Sequence, residues 1–201
     1  MGKITTGFSM SLDGYVAGPN EDVSQVFKWM MTGNTDVTVP MGEGEMELKM
    51  PEESAGMFEG YKQNGALVSG RRLFELTQGW GGRHPLDVPI VVVTHRAAPE
   101  WVKQDWPVTF VDNLEDALEK ARALAGEKNV VVASTTLVQQ CLRAGLLDEI
   151  HIDLTPFLLG AGVKLFGTLD APIELERREV INSTGVIHLT YRVMKEQIVD
   201  V

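Results

Sequence analysis

The stretch "VVVASTTLVQQCLRAGLLDEIHIDLTP", residues 130–156, decides the fold. It opens on Val130–Ala133, a short run that is apolar on both faces. A helical pattern follows, with Leu137, Val138, Cys141 and Leu142 on one side, and Gly145 ends it. A second apolar run occupies 149–156. A strand buried on both faces, then an amphipathic helix, then another such strand is the signature of a parallel sheet covered on both sides.

The same alternation extends in both directions. Residues 3–9, 66–70, 89–94 and 108–111 read as further strands. "RRLFELTQ" continues from the second of these as a helix. Another helix is predicted from Asn113, with Leu114, Ala117, Leu118, Ala121 and Leu124 on one face, acids in its first turn and Gly126 as its stop. "SQVFKWMM", 24–31, has helical spacing in Val26, Phe27, Met30 and Met31, with Asp22 or Ser24 as cap. Residues 32–50 read as a long loop or small hairpin, and Pro51-Glu52-Glu53 as a helix start. At the C-terminal end, "IELERREVI" and "VIHLTYRV" flank the turn Asn182-Ser183-Thr184-Gly185. Ile187, Leu189, Tyr191 and Val193 alternate with polar residues, which predicts an antiparallel hairpin with one solvated face and His188 exposed on it. No linker or repeat interrupts the pattern, so one domain over 1–201 is expected.

Composition narrows the function. The 201 residues carry a formal net charge of −10, which disfavours nucleic acid and anionic membranes as partners. The one cysteine, Cys141, excludes a disulfide framework and argues against a metal site; its apolar neighbours predict a buried, inert thiol. The N-terminus lacks the apolar segment of a signal peptide, and no run has the length of a membrane span, so a cytoplasmic location is expected.

In sheets of this kind ligands bind outside the carboxyl ends of the strands. Four such ends carry chemistry. "GFSMSLDGYVAG", 7–18, places Ser11, Asp13 and Tyr15 on a turn. "VSGRRLFE" sets Gly70, Arg71 and Arg72 at a helix start. "VVVTHRAAP" sets Thr94, His95 and Arg96 just past a strand. Ser134, Thr135 and Thr136 open the helix of the first-quoted stretch, where hydroxyl and N–H groups suit a phosphate. Each feature alone reads as a cap or a solvated charge. Three anion-capable ends in an acidic chain point to a ligand with several phosphates. Neither a Gly-x-Gly-x-x-Gly fingerprint nor a Walker loop is present, so the phosphate site is built from several loops.

"SMSLDGYVAG", "LVSGRRLFE", "PIVVVTHR", "QQCLRAGLLDEIHIDLTPFLLGAGVKLF" and "GVIHLTYRV" together resemble the dihydrofolate-reductase-like family typified by the C-terminal reductase domain of the bifunctional riboflavin-biosynthesis deaminase/reductase. The resemblance runs from about residue 3 to 194. It implies an α/β, dihydrofolate reductase-like fold, with a mostly parallel central sheet flanked by helices and a C-terminal antiparallel hairpin. It implies an NADPH-dependent reductase, often a homodimer, acting on a pteridine-, pyrimidine- or ribosylamine-like small molecule.

It also implies roles. Val16 and Ala17 would contact the nicotinamide carboxamide through backbone groups, with Asp13 organising their loop. Gly70, Arg71 and Arg72 would face the pyrophosphate and adenosine. Thr94, His95 and Arg96 would hold the adenosine 2′-phosphate. Ala133, Ser134, Thr135, Thr136 and Leu137 would hold the pyrophosphate. The chain departs from the family where Ala133-Ser134 replaces the usual Gly-Gly. Asp22 and Gln25 do not align with the acid of folate reductases, so no proton donor is assigned. The insert 32–50, with Met41, Met46 and Met50, is expected to be a mobile wall of the substrate cleft. Two other readings stand beside this one: a catalytically silent nucleotide-binding member, and a reductase using a flavin-type cofactor. Asp148-Glu149 reads as structural, Arg83-His84 as a surface loop, and Trp29, Met30 and Met31 as core or pocket wall.

Overall fold

The computed structural model describes residues 2–195; the remainder of the expected 1–201 domain lies outside the described residues. In chain order the strands and helices are β1 (Ile4–Ser11), β2 (Tyr15–Ala17), β3 (Thr35–Met41), β4 (Gly44–Met50), α1 (Glu52–Ala55), β5 (Asn64–Gly70), α2 (Arg71–Leu76), β6 (Ile90–Val93), β7 (Val108–Val111), α3 (Leu114–Ala125), β8 (Asn129–Val132), α4 (Thr135–Arg143), β9 (Glu149–Thr155), β10 (Val163–Lys164), β11 (Leu175–Ser183) and β12 (Val186–Val193).

Eight strands form the main sheet in the order β11-β12-β9-β1-β8-β5-β6-β7. From β9 to β7 every neighbouring pair is parallel, while β12 runs antiparallel to both β9 and β11. This is the expected mostly parallel sheet with a C-terminal antiparallel hairpin. On one face α3 and α4 bury Ala117, Leu118, Ala121, Leu137, Val138, Cys141 and Leu142 against Ile4, Val68, Val91, Val132, Ile150 and Ile152. On the other face Phe74 of α2 and Trp80 pack on Leu67, Ile90, Val92 and Val131.

Local chemistry explains the boundaries. Asn113 caps α3 by accepting a hydrogen bond from Asp116 N–H at 2.9 Å, and Gly126 ends the helix at φ 60°. Leu124 is exposed, against expectation; Ala125 takes its place beside the sheet. The 24–31 segment is not an α-helix. It closes in turns and a single 3₁₀ segment, Lys28–Met31, which buries Val26 and Trp29 and leaves Phe27 and Met31 outside. The two buried positions are three apart, the repeat of a 3₁₀ turn.

Residues 35–50 are an antiparallel hairpin, Thr35 pairing with Met50 and Met41 with Gly44. It is not a loose wall. Val39, Leu48 and the wholly buried Met50 pack with Trp29 and Val186. Val186 of β12 belongs to this cluster, and His188 on the same face is buried rather than exposed, because Ser54 of α1 and the Trp29 ring lie against it.

Candidate active site

The chain leaves β5 through α2 toward β6, and leaves the neighbouring β8 through α4 back toward β9. Connections that diverge from adjacent parallel strands open a crevice outside their carboxyl ends. The two lips meet closely. A Cβ on Gly70 would lie 2.7 Å from Ser134 Oγ. Glycine at 70 is thus favoured by close approach and not by conformation, since its φ of −81° is ordinary, and a larger residue would have to displace the Ser134 hydroxyl.

On the β8 lip, Ser134 is the extended residue before α4, and no side chain caps the helix. Its hydroxyl instead meets Thr136 Oγ1 at 3.1 Å. The first-turn N–H groups of Thr135, Thr136 and Leu137 have no carbonyl to reach within the helix. Leu137's side chain is buried in the core, so it can offer only its backbone. Ala133 is partly exposed, and its N–H is already donated to the Val68 carbonyl at 2.8 Å. That amide is closed to a ligand.

On the β5 and β6 lips two guanidinium groups converge. Arg71 Nε donates to Glu75 Oε1 at 2.8 Å and its NH1 to the Ala97 carbonyl at 2.7 Å. Arg96 NH2 donates to Glu75 Oε2 at 3.0 Å. Hydrogen bonds from Arg71 and then Arg96 hold the Glu75 carboxyl below its usual range, against some desolvation. Thr94 Oγ1 accepts from Arg96 N–H at 3.1 Å and sets the turn that carries His95, which is exposed. Arg72 departs from this group: it points outward and pairs with Glu21.

The loop after β1 is organised by Asp13. Its carboxylate accepts from Ser11 Oγ at 2.6 Å, Gly160 N–H at 2.7 Å and Leu159 N–H at 3.1 Å. These donors, Ser11 foremost, bring its pKa down to about 2. Asp13 is an anion that clamps the 157–160 segment to the loop, and it has no proton to give near neutrality. Behind it, buried Val16 and Ala17 in β2 pair with β10. Gly162 lies so near that a Cβ there would stand 2.0 Å from the Ala17 carbonyl oxygen.

One constellation is not foreseen in the sequence. His188 Nδ1 lies 2.7 Å from Asp153 Oδ1, and its Nε2 lies 2.8 Å from Ser54 Oγ. Ser54 Oγ continues to Ser183 Oγ at 2.7 Å. Trp29 Nε1 donates to Ser9 Oγ at 3.1 Å, and Trp29 stands edge-on to His188. Ser9, Asp153 and Ser54 are buried with it. Ser9 and His188 are both cross-strand partners of Asp153, but polar residues recur along all three strands, so no local pattern marks them. Ser54 cannot act as an accessible nucleophile from this position, so the chain reads as a satisfied polar core beneath the hairpin. Asp148 is structural as expected, accepting from Ile4 N–H at 2.8 Å. Cys141 is buried, which pushes its thiol up to about 11 and keeps it inert.

An uncapped nine-residue helix, a glycine lip and two converging arginines fit a phosphorylated dinucleotide.

Comparison with known proteins identifies the family and the fold. The family model described as the RibD C-terminal domain matches residues 2–189. Among solved structures, a protein assigned to riboflavin biosynthesis from Shewanella sp. PV-4 superposes with a TM-score of 0.72 at 21% identity, covering 96% of this chain and 99% of that one. The riboflavin biosynthesis reductase Rib7 of Saccharomyces cerevisiae gives a TM-score of 0.61 at 11% identity, with 96% and 90% covered. A Thermotoga maritima diaminohydroxyphosphoribosylaminopyrimidine deaminase/5-amino-6-(5-phosphoribosylamino)uracil reductase gives 0.60 at 12% identity, where this chain spans 57% of the larger protein. No curated protein matches by sequence. The shared fold is the dihydrofolate-reductase-like one.

Proposed function

Because the chain belongs to the RibD C-terminal domain family, we propose that it is a reductase that binds NADPH across the β5–β8 crevice and reduces a small pteridine-, pyrimidine- or ribosylamine-like molecule. The observation that carries the reading is the convergence of Arg71 and Arg96 on Glu75, within reach of the crevice whose other lip is the open end of α4.

NADPH supplies the hydride. The protein's share is binding, orientation and a dry cleft. The free N–H groups of α4 and the Ser134 and Thr136 hydroxyls hold the pyrophosphate. Arg96, with Thr94 and His95, takes the 2′-phosphate, exchanging its exposed bond to Glu75 for one to a dianion. Arg71 is more deeply engaged and acts by bracing α2 against the 94–97 turn. Backbone groups of Val16 and Ala17 orient the carboxamide, on a loop that Asp13 holds in place. The proposal includes a homodimer in the cytoplasm; among the described residues no helix is long and apolar enough to cross a membrane.

A thermal-shift titration with NADPH, NADH and flavin mononucleotide in parallel tests this. NADPH at a hundred times its Kd is expected to add about 2.7 kcal/mol of stability. Stabilisation by the flavin alone would replace the reading with a flavin-dependent one. NADPH binding without turnover of any pyrimidine or pteridine acceptor would leave a nucleotide-binding protein. No stabilisation by any of the three would overturn it.

A further inference from the structure

Away from the cofactor crevice, the tip of the β3–β4 hairpin meets the segment after α2. Together with the 101–106 loop they enclose an open cavity of about 490 Å³, lined by Met41, Gly42, Thr77, Gln78, Trp80, Gly81, Trp101 and Trp106. Three of the chain's four tryptophans are in this wall. The volume lies in the range of small-molecule sites, about 300–1,000 Å³.

The wall is preformed. The segment 78–82 runs through the left-handed region, with Gln78 at φ 49°, Trp80 at 52° and three glycines between 60° and 91°. Such values are uncommon for a glutamine and costly for a tryptophan, and they persist only where the surroundings fix them. The surroundings do so here. A Cβ on Gly79 would stand 2.8 Å from the Phe74 ring, and one on Gly82 2.5 Å from Trp106 Nε1. A Cβ on Gly81 would lie 2.9 Å from Gly42 Cα, so the hairpin tip and this segment touch backbone to backbone. Gly42 N–H donates to the Arg83 carbonyl at 3.1 Å, and Glu43 pairs with Lys103 at 2.8 Å across the opening.

The chemistry of the lining selects a ligand. Trp101 stacks on Phe74 at 5.4 Å with an interplanar angle of 18°, yet 43% of it remains exposed. It presents an aromatic surface with a rigid backing. None of the lining residues is charged. Two ion pairs lie at the rim, Glu43 with Lys103 and Arg83 with Asp87. Half-buried His84, edge-on to Trp80, accepts from Leu86 N–H at 3.0 Å, and desolvation lowers its pKa to about 4, so it too stays neutral. The Thr77 hydroxyl is bonded back to the Leu73 carbonyl. The Gln78 carboxamide has no partner among the described residues. It offers one donor edge and one acceptor.

We propose that this cavity is a second binding site, for a neutral, planar, fused heteroaromatic ring that stacks on Trp101 and presents a lactam-type edge to Gln78. The site does not depend on the cofactor reading, since it shares no residue with the crevice.

The test uses the three tryptophans as reporters and lumichrome, an uncharged tricyclic ring with lactam edges, as the probe. Titration into the full chain near neutral pH should quench tryptophan emission saturably. Trp101→Leu should weaken binding about tenfold, the size of a lost stacking contact at its upper end. Gln78→Ala, at an exposed side chain, should weaken it several-fold without altering the fold. Saturating NADPH, whose own binding is followed separately by calorimetry, should not displace the probe. Absence of saturable quenching overturns the proposal. So does lumichrome binding that Gln78→Ala and Trp101→Leu leave unchanged, or that NADPH abolishes competitively. Quenching by naphthalene-1-sulfonate but not by lumichrome would also overturn it, because the site would then select charge.

Discussion

At Asp13 three donors converge on one carboxylate, and their geometry gives the residue a structural task at the edge of the site. Its lowered pKa fixes the sign of a pH effect. A carboxyl whose folded pKa is depressed contributes stability above its unfolded value, near 3.8, and loses it as pH falls through about 2. Asp13→Asn is therefore expected to lower Tm at pH 7. The gap to the unmodified protein should persist down to pH 4 and close toward pH 2, as followed by circular dichroism. A gap independent of pH would mean that shape rather than charge holds the 157–160 segment. At Gly70 the expectation concerns binding. Gly70→Ala puts a methyl group 2.7 Å from Ser134 Oγ. NADPH affinity measured by calorimetry should fall while Tm changes little. Adding Ser134→Ala removes the oxygen in the way and should restore part of the loss. Unchanged affinity in the single variant would place the pyrophosphate elsewhere.

The hairpin β3–β4 is the element on which sequence and structure part most. Its alternation is present in the chain: Val37 and Val39 face one way, and so do Met46, Leu48 and Met50. Scattered acids at Glu43, Glu45 and Glu47 obscure it, because they are the solvated face of the same strand and turn. Met50→Ala is expected to cost about 2–5 kcal/mol, the range for emptying a buried aliphatic site. Met41→Ala, at the tip, should stay within about 0.5 kcal/mol. Chemical denaturation distinguishes the two, and equal effects would mean that the hairpin does not pack as described. Beneath it, the Ser54–His188–Asp153 chain joins α1, β12 and β9. Asp153→Ala or His188→Ala leaves a buried polar partner unsatisfied, about 1–3 kcal/mol each. Their combination should be markedly less than additive, because both break one network. By contrast, the extents of α3 and α4 are legible in the sequence, although Leu124 falls outside the buried face predicted for α3. Asn113, Gly126 and Gly145 mark boundaries by local chemistry that tertiary contacts do not override. What could not be read was the burial of His188 on β12. It depends on Trp29 and Ser54, which are remote in sequence, and no local period encodes it.

For the whole molecule, the alternation of apolar strands and helices predicts a mostly parallel sheet with anion-capable loops beyond its strand ends, Arg71 and Arg96 among them. The order of the strands is supplied by the structure alone, and with it the shared bond of both arginines to Glu75, formed where β5 pairs with β6. Around them lies a chain with a net charge of −10. Under the proposed function an anion would be held by Arg96 and its neighbours against an acidic background, which sharpens the role of each cationic side chain. Calorimetric titration of the unmodified protein and of Arg96→Ala with NADPH and NADH tests this account most directly. A charge-assisted bond to phosphate contributes about 1.5–3 kcal/mol, so NADPH should bind at least about tenfold more tightly than NADH. In Arg96→Ala that difference should shrink, with NADH affinity nearly unchanged. Equal affinity for the two cofactors in the unmodified protein, or a preference for NADPH that survives the loss of Arg96, would contradict it.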